Sequence, residues 1–422
     1  MKKQDIARLQ ELGKQLRDIA DMPIQQHNKK LWTAVNDLQM IRPVIHVRDY
    51  PLYLIAFEQE LETTIEDAFL KEIERDLLLR LYEWNHLRCD RVIEPVVKCP
   101  VVHSDSGFGI QAFEGTRSVQ NFIHGREINR AMNFECQIET EADLKKIKEP
   151  IVEYDEQATM RRCDMLREIF DGILNVKLFG RCHFRCVPLD DIMTWIGIER
   201  SMINMMEEPE LMHQAINLYI DGQISRIKQY EKLGILSSNN CFENIGHNCI
   251  GYTSNLPPAT ESGIGAKISH LWGENSDQTM TGVSPDMTQE FSFDHERKWA
   301  NMFNLHSYGC CERLDHKLNN LRNSFPRLRK VSCSPFSNLE STMEQLGNNY
   351  VISFKPNSNY LVGDTPDMEY LKKELLHACE LTKKYKVNLV FNMKTLISLN
   401  GEPQRLWNWC KMASQIVDDF YK

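Results

Sequence analysis

A regular alternation of strand-like and helix-like segments begins near residue 176, and it limits the fold more than any other feature of the sequence. Short runs rich in β-branched and aromatic residues are separated by longer amphipathic segments. Several of these segments open with helix-start signals, such as Ser284-Pro285-Asp286 and Ser337–Glu340. Strands that recur every ~20–45 residues, with helices between them, are typical of βα units and a mostly parallel sheet. The predicted strands are Val176–Val187, Lys267–Trp272, Phe303–Tyr308, Lys330–Cys333, Tyr350–Phe354 and Val387–Phe391.

The number of βα units favours a (β/α)₈ TIM barrel, a fold that takes ~250 residues. We predict that residues 1–95 form a helical N-terminal extension packed on the barrel, and that residues 96–422 form the barrel itself. A doubly wound sheet is the alternative, but no GxGxxG motif follows a predicted strand and no Walker motif occurs. Because TIM barrels carry their chemistry at the carboxyl ends of the strands, candidate site residues are expected there.

The composition excludes several classes of protein. A net charge of -9 without a Lys/Arg-rich stripe argues against binding to nucleic acid. No window approaches 18 consecutive apolar residues, so no membrane span is expected. The first residues, MKKQDIARLQELGKQ, lack the apolar core of a signal peptide. The thirteen scattered cysteines are therefore expected to be reduced thiols in a cytoplasmic protein, with a possible metal-binding subset.

The motif Tyr308-Gly309-Cys310-Cys311-Glu312 follows directly after a predicted strand. Two adjacent thiols and a carboxylate at a strand end suggest soft-metal ligation or thiol chemistry. The alternative is a pair of buried core cysteines, which is where free cysteine usually lies. The position at a strand end favours a functional site.

A second polar cluster, residues 241–249, lies in the long loop after Ile235-Leu236. His247 and Cys249 form an H-x-C pair whose spacing lets both side chains reach one ion, although such a pair also arises by accident. Cys249 precedes Cys310 by 61 residues, about two βα units, so neighbouring strand ends would bring the two clusters together. Three ligands drawn from His247, Cys249, Cys310 and Cys311 would hold Zn²⁺ with its fourth position open. Such an ion would deprotonate an incoming thiol and present it as a thiolate.

Other polar residues also follow predicted strands, among them Glu274, Ser276 and Lys394. Lysines at two successive strand ends suit a carboxylate or phosphate on a substrate, although a polar loop before a helix cap explains such residues equally well. Proton transfer or substrate positioning requires a carboxylate or phenol near the thiols. The predicted substrate-binding residues are Gln278, Lys355 and His306, and the predicted catalytic residues are Tyr308, Glu312 and Glu243.

Several segments together resemble the uroporphyrinogen decarboxylase superfamily, in its corrinoid-dependent, methylcobalamin:thiol-type methyltransferase branch. The resemblance covers most of the chain and is strongest after residue 190. It rests on residues 195–211, on Val283–Met287 followed by Glu290-Phe291, on Tyr308–Glu312, on Tyr350–Asn357 and on Gly401–Leu406.

The resemblance implies a TIM barrel and a zinc-dependent methyltransferase that exchanges a methyl group between a small methylated substrate or thiol and a corrinoid. No D-x-H-x-x-G motif is present, so the corrinoid is expected on a separate corrinoid-binding protein. The sequence departs from the family where Tyr308 replaces the second residue of a strand-end H-x-C, and the Arg-rich RQAGR loop of the decarboxylases is absent. A metal-free lyase or decarboxylase on the same barrel, or a non-catalytic barrel that binds a small ligand, are the alternatives.

Overall fold

The computed structural model describes residues 2–48, 50, 54–55, 58–112, 120–123, 126–130 and 134–422. For residues 120–123 and 126–130 only the backbone is considered. The strands within these ranges are β1 (Val44–Val47), β2 (Val96–Pro100), β3 (His103–Asp105), β4 (Gln120–Ile123), β5 (Arg126–Arg130), β6 (Val152–Tyr154), β7 (Asn175–Phe179), β8 (Trp272–Asn275), β9 (Leu305–Tyr308), β10 (Leu328–Cys333), β11 (Val351–Phe354) and β12 (Asn388–Met393).

The α-helices follow the predicted rhythm in the second half of the chain and also occupy much of the first half. In chain order they are α1 (Lys3–Ala20), α2 (Ile24–Asn36), α3 (Ala68–His86), α4 (Glu156–Ile169), α5 (Pro188–Ile196), α6 (Ile198–Glu207), α7 (Pro209–Lys232), α8 (Pro285–Thr288), α9 (Asp294–Ala300), α10 (Leu318–Ser324), α11 (Leu339–Leu346), α12 (Met368–Tyr385) and α13 (Gln404–Phe420). A π-helical turn, Gln289–Phe293, joins α8 to α9.

A six-stranded parallel sheet in the order β1-β12-β11-β10-β9-β8 forms the centre of the molecule. Five of its strands are buried along their whole length, as expected for parallel strands covered on both faces. All six run in the same direction, so their carboxyl ends meet at one edge of the sheet. This confirms the predicted α/β class with a mostly parallel sheet.

One isolated parallel bridge extends the sheet beyond β8, and another joins two segments outside the sheet. Cys186 forms an isolated bridge to Asn275 at the end of β8, and Arg181 forms one to Leu236. Arg181 and Cys186 both follow β7, which itself pairs with β2 in parallel. The strand predicted over Val176–Val187 is therefore shorter in the structure: β7 ends at Phe179, and only isolated bridges at Arg181 and Cys186 follow it. Closure of the strands into a barrel is not seen in this pairing.

The predicted boundary at residue 95 does not separate the sheet from the helices that precede it. β1 lies inside the predicted extension, yet it pairs with β12 in the central sheet, with Val44 opposite Val390. All four of its residues are buried. The short run was recognisable as a strand, but its partner lies more than 300 residues away, and local sequence does not encode such a pairing.

The strand predicted at Lys267–Trp272 also lies later in the chain than expected. Residues Ile268–His270 form a single 3₁₀ turn, and β8 begins only at Trp272. The turn is fixed because the backbone N–H of Ile268 donates a 2.8 Å hydrogen bond to the carboxylate of Glu231 in α7. As a result Glu274 lies within the strand, not in the loop that follows it.

One face of the sheet packs against helices, and the other packs against residues 237–252, which we call the inner segment. On β9, His306 and Tyr308 face Phe325 at the end of α10, whereas Ser307 accepts a 2.6 Å hydrogen bond from Asn248 of the inner segment. Further contacts to the inner segment come from Lys330, whose ammonium donates to the carbonyl of Ile250 at 3.3 Å. Ser307 and Lys330 on this sheet face are thus satisfied by a side chain and a backbone carbonyl of the inner segment.

No helix in the described part of the chain is both long enough and apolar enough to cross a membrane.

Candidate active site

The Cys310–Cys311 pair lies at the carboxyl end of β9, in a sharp turn that starts at Gly309. Gly309 has φ +98, and a Cβ atom there would lie 2.7 Å from Leu314 Cδ1 and 2.9 Å from Ser332 Cβ. Only glycine accepts this conformation and this spacing without strain. The turn places the two sulfur atoms 3.5 Å apart, with Cys310 buried and Cys311 partly exposed.

Two lysine ammonium groups reach this pair from neighbouring strand ends. Lys394, which follows β12, has its Nζ 3.1 Å from Cys310 Sγ. Lys355, which follows β11, is buried and donates hydrogen bonds to the carbonyl of Cys310 and to the hydroxyl of Ser332. The parallel order of β9, β10, β11 and β12 thus converges groups that lie 84 residues apart in the sequence.

The electrostatics of the pair favour one thiolate. The hydrogen bond between Cys310 and Cys311, together with the charges of Lys355 and Lys394, lowers the pKa of Cys311 to about 5 against the effect of burial. The same hydrogen bond and burial raise the pKa of Cys310 far above its usual range. The nearest ammonium contacts Cys310, not Cys311. The negative charge therefore belongs to the pair, which shares the remaining proton.

Glu312 stabilises the Cys310–Cys311 turn through a hydrogen bond to its backbone. One of its carboxylate oxygens accepts a 2.7 Å hydrogen bond from the backbone N–H of Cys310, and the other has no hydrogen-bond partner among the described residues. Burial raises its pKa above the usual range for a glutamate. Its carboxyl group is almost fully buried, so in this structure it positions the thiol pair and does not face solvent.

The inner segment brings a histidine to the same edge of the sheet. His247 Nδ1 lies 3.4 Å from the carboxylate of Glu274 and 3.5 Å from the hydroxyl of Ser276. Burial alone would raise the pKa of Glu274, but the charge and hydrogen bonds of His247 lower it below the usual range. Gly246 makes this approach possible, because a Cβ atom there would overlap the Glu274 carboxylate. The carboxylate orients the imidazole, as in many acid–base pairs.

Lys394 links the two predicted clusters. Its Nζ lies 3.1 Å from Cys310 Sγ and 3.5 Å from the carbonyl oxygen of His247. The prediction that neighbouring strand ends bring the inner segment close to the thiol pair therefore agrees with the structure for the His247 backbone. It does not extend to Cys249, whose sulfur lies 3.8 Å from Ser353 Oγ in a buried cluster with Val351 and Val390.

The four predicted zinc ligands do not assemble. Among the residues that the structure describes, no group of three or more His, Cys, Asp or Glu side chains is arranged to hold a metal ion. Where a metal would approach Cys310, the ammonium of Lys394 occupies the contact, and Cys249 is directed to Ser353 instead. The donor set found here does not fit a zinc centre. Zinc stays a prediction from the sequence.

The other predicted residues are distributed over both faces of the sheet. Tyr308 and His306 are fully buried between the sheet and the helices, where Tyr308 contacts Ser292 at 3.2 Å and His306 contacts Asn275 at 2.8 Å. Burial lowers the pKa of His306 to about 3, so its ring is neutral. Glu243 forms an ion pair with Lys98, away from the thiol pair, and Gln278 opens the short 3₁₀ turn after β8. Of the predicted substrate and catalytic residues, Lys355 and Glu312 contact the Cys310–Cys311 turn.

Two features of this region were not predicted. Arg48, which follows β1, donates to the carbonyls of Gly246 and Asn248 and holds the inner segment at the sheet edge. Asp277 and Glu296 form a buried carboxyl pair behind β9, and burial raises the pKa of both. The position of Arg48 directly after a strand was a usable signal, but nothing in the sequence pairs Asp277 with Glu296.

Of the comparisons with known proteins, only the one with solved structures gives matches. No family model matches the sequence, and no curated protein matches it either. Sixteen chains of solved structures do resemble it. One of them is a methyltransferase from Methanosarcina mazei, with a TM-score of 0.49 and 10% sequence identity over 94% of this chain and 99% of that chain. A likeness at this identity and TM-score identifies neither a family nor an activity for this chain.

Proposed function

We propose that this chain is a methyltransferase and that the Cys310–Cys311 pair is its nucleophile. The observation that carries the proposal is the contact of Lys394 Nζ with Cys310 Sγ at 3.1 Å, at the carboxyl end of a parallel strand. A thiolate is the reactive form of cysteine, and a nearby cation stabilises it. Two buried lysines beside a cysteine pair are unusual for an apolar core, because lysine is rarely buried without a partner. The resemblance of the sequence to corrinoid-dependent methyltransferases supplies the methyl group as the unit transferred.

The chemistry assigned to the pair is a displacement at a methyl carbon. The thiolate attacks through Cys311, the partly exposed member, so that a sulfur–carbon bond forms as the bond to the leaving group breaks. The electron pair departs with the leaving group. A second nucleophile, the acceptor, then attacks the methyl carbon, and the sulfur–carbon bond breaks with its electron pair returning to Cys311 as the thiolate. His247, oriented by Glu274, would supply a proton when that group is an oxygen or a nitrogen. Lys394 and Lys355 lower the free energy of the anionic state of the pair.

The proposal also includes a closed barrel, a corrinoid-binding partner and a small second reactant. A (β/α)₈ barrel is supported by the parallel order, in which β1 pairs with the last strand while the bridge from Cys186 continues the sheet past β8. A corrinoid, carried by a separate binding protein, would supply or accept the methyl group when it is docked. A small methylated compound or a thiol would be the other reactant.

The test is methyl transfer between a panel of methylated compounds and a corrinoid protein, with the intact chain and with Cys311→Ser. We expect methylation of Cys311 by mass spectrometry during turnover, and loss of at least ~100-fold in rate in the variant, as is common when a nucleophile is removed. The matched control is Cys136→Ser, because Cys136 is also partly exposed and its thiol donates to Ile138 O at 3.3 Å, which a serine can reproduce.

Two outcomes would contradict the proposal. Full transfer activity in a Cys310→Ala/Cys311→Ala double variant would remove the thiol pair from the mechanism. Release of carbon dioxide from an acidic substrate, without any methyl transfer, would favour the lyase alternative on the same sheet.

A further inference from the structure

We propose that Cys310 and Cys311 are a redox modification site, which a hydroperoxide converts to a disulfide between the two adjacent residues and which cellular thiols reduce again. In the reduced chain the two sulfur atoms already lie 3.5 Å apart. The formation of this bond needs no substrate and no partner. Only its effect on activity rests on the proposed methyltransferase function.

The two sulfurs differ in the way that a reactive and a resolving thiol must differ. Cys311 is partly exposed, and the hydroxyl of Thr395 lies 3.5 Å from its sulfur. Cys310 is buried, and its sulfur contacts the ammonium of Lys394. Oxidation selects thiols with thiolate character that a small oxidant can reach. Cys311 meets both conditions. Cys310 lies close enough to attack the sulfenic acid that forms on Cys311.

The reaction balances with the hydroperoxide as the sole oxidant. The Cys311 thiolate attacks the terminal peroxide oxygen, so that a sulfur–oxygen bond forms and the oxygen–oxygen bond breaks, and the alkoxide or hydroxide released takes a proton. Cys310 then attacks the sulfenic sulfur of Cys311, a sulfur–sulfur bond forms, and water leaves. Two electrons pass from the two sulfurs to the peroxide.

The geometry of neighbouring residues predicts that the bond is reversible. Consecutive Cα atoms in a trans chain are ~3.8 Å apart, which is less than the spacing of about 4.4–6.8 Å found across ordinary disulfides. Such a bond is strained, and strained disulfides are reduced more easily than structural ones. The site is therefore suited to a switch and not to a permanent crosslink.

Oxidation changes the charge of the site. The disulfide is neutral, so the negative charge that the thiol pair carries beside Lys394 and Lys355 is lost. Cys311 also stops being a nucleophile, because its sulfur is then bonded to Cys310. An oxidised chain is consequently expected to be inactive in methyl transfer until a thiol restores it.

Two other cysteine pairs serve as internal references. Cys99 and Cys163 interact with each other in the buried core, where burial raises the pKa of Cys99 to about 12. Cys410, beside Cys89, is also buried, and its pKa is raised by burial. Thiols of this kind stay protonated and react slowly with peroxide.

The experiment uses the full chain, treated with one equivalent of hydrogen peroxide, then alkylated and mapped by mass spectrometry. We expect the peptide that contains both Cys310 and Cys311 to lose two hydrogens and to escape alkylation, and dithiothreitol to restore both thiols. The variant Lys394→Met should form the Cys310–Cys311 disulfide at least about tenfold more slowly, because it removes the charge-assisted contact to Cys310 Sγ. Lys372→Met, an exposed change on α12, should react like the parent chain.

Three results would overturn the inference: both thiols still alkylated after peroxide, oxidation of Cys311 to a sulfinic acid without a disulfide, or equal oxidation of Cys99 and Cys163. The two proposals fail separately. If the disulfide forms and reverses but no methyl transfer is found in either state, the redox site remains and the function is wrong. If methyl transfer depends on Cys311 but peroxide leaves both thiols reduced, the function remains and the redox site is wrong.

Discussion

At the scale of single residues, the site depends on glycines where the chain must approach another group closely. Gly309 adopts φ +98 at the end of β9 and thereby directs Cys310 and Cys311 to the lysines of β11 and β12. Its missing side chain also leaves room for Leu314 and Ser332. The residue therefore sets both the direction of the chain and the packing under the thiol pair.

Gly309→Ala is expected to lower the free energy of unfolding by about 2–3 kcal/mol, because alanine is strained at this φ and its Cβ would press on Ser332. Denaturant titration monitored by fluorescence measures the change. Gly282→Ala is the matched control, since its added Cβ meets no atom within 4 Å and its φ is not positive, so it should be close to neutral. An unchanged denaturation midpoint for Gly309→Ala would show that the turn relaxes.

At the scale of elements, the π-helical turn between α8 and α9 positions a buried acid group behind β9. Ser292 in this turn contacts both Glu296 and Tyr308, at 3.1 and 3.2 Å. Asp277 caps the start of α5 by accepting from the N–H of Leu189 at 3.0 Å, and its second oxygen and that of Glu296 have no other partner among the described residues. A proton shared by the two carboxyl groups satisfies both oxygens.

This pair makes stability depend on pH. Burial raises the pKa of Glu296 to about 7, and the folded chain therefore binds a proton that the unfolded chain releases near pH 4.5. The titratable groups that face the pair are Asp190, Glu312, Lys317, Cys186 and Tyr308. The stabilisation is fully present below about pH 4.5 and is lost as the pH rises toward about 7, by up to ~3 kcal/mol.

Glu296→Gln should flatten this dependence, because the amide stays neutral and still donates a hydrogen bond to Asp277. The measurement is the free energy of unfolding at pH 5 and pH 8 for the parent and the variant. Glu344→Gln, an exposed change on α11, should keep the parental slope. An equal slope in parent and Glu296→Gln would show that the pair does not hold the proton.

At the scale of the whole molecule, the two ends of the chain share one sheet. β1 near the amino terminus pairs with β12 near the carboxyl terminus, and Arg42 beside β1 forms a bidentate ion pair with Asp90. The helices that precede residue 95 are therefore part of the same folding unit as the strands that carry the candidate site.

A chain that begins at residue 96 should not fold into a stable protein. It lacks β1, so β12 would pair only with β11 and present a free hydrophobic edge on its other side. We expect aggregation on expression and no cooperative unfolding transition, where the full chain shows one. A soluble 96–422 chain with a cooperative thermal transition would restore the predicted boundary.

Much of the second half of the fold was predictable, since capping signals and short β-branched runs occur where the structure has helices and strands. β9, β10, β11 and β12 lie within two residues of the predicted strands at each end. The predictions were less accurate where tertiary contacts override local pattern. The hydrogen bond from Ile268 to Glu231 holds residues 268–270 in a 3₁₀ turn, and β7 ends at Phe179, with only isolated bridges after it.

The candidate site shows the same division. The sequence by itself placed Cys310, Cys311 and Glu312 after a strand, and Lys355 and Lys394 after two later ones, because strand periodicity and chain order are local properties. Only the tertiary structure decided that Lys394 contacts Cys310 while Cys249 turns to Ser353. That outcome depends on the path of the inner segment, which is set by buried hydrogen bonds between residues far apart in the chain, such as Asn248 with Ser307.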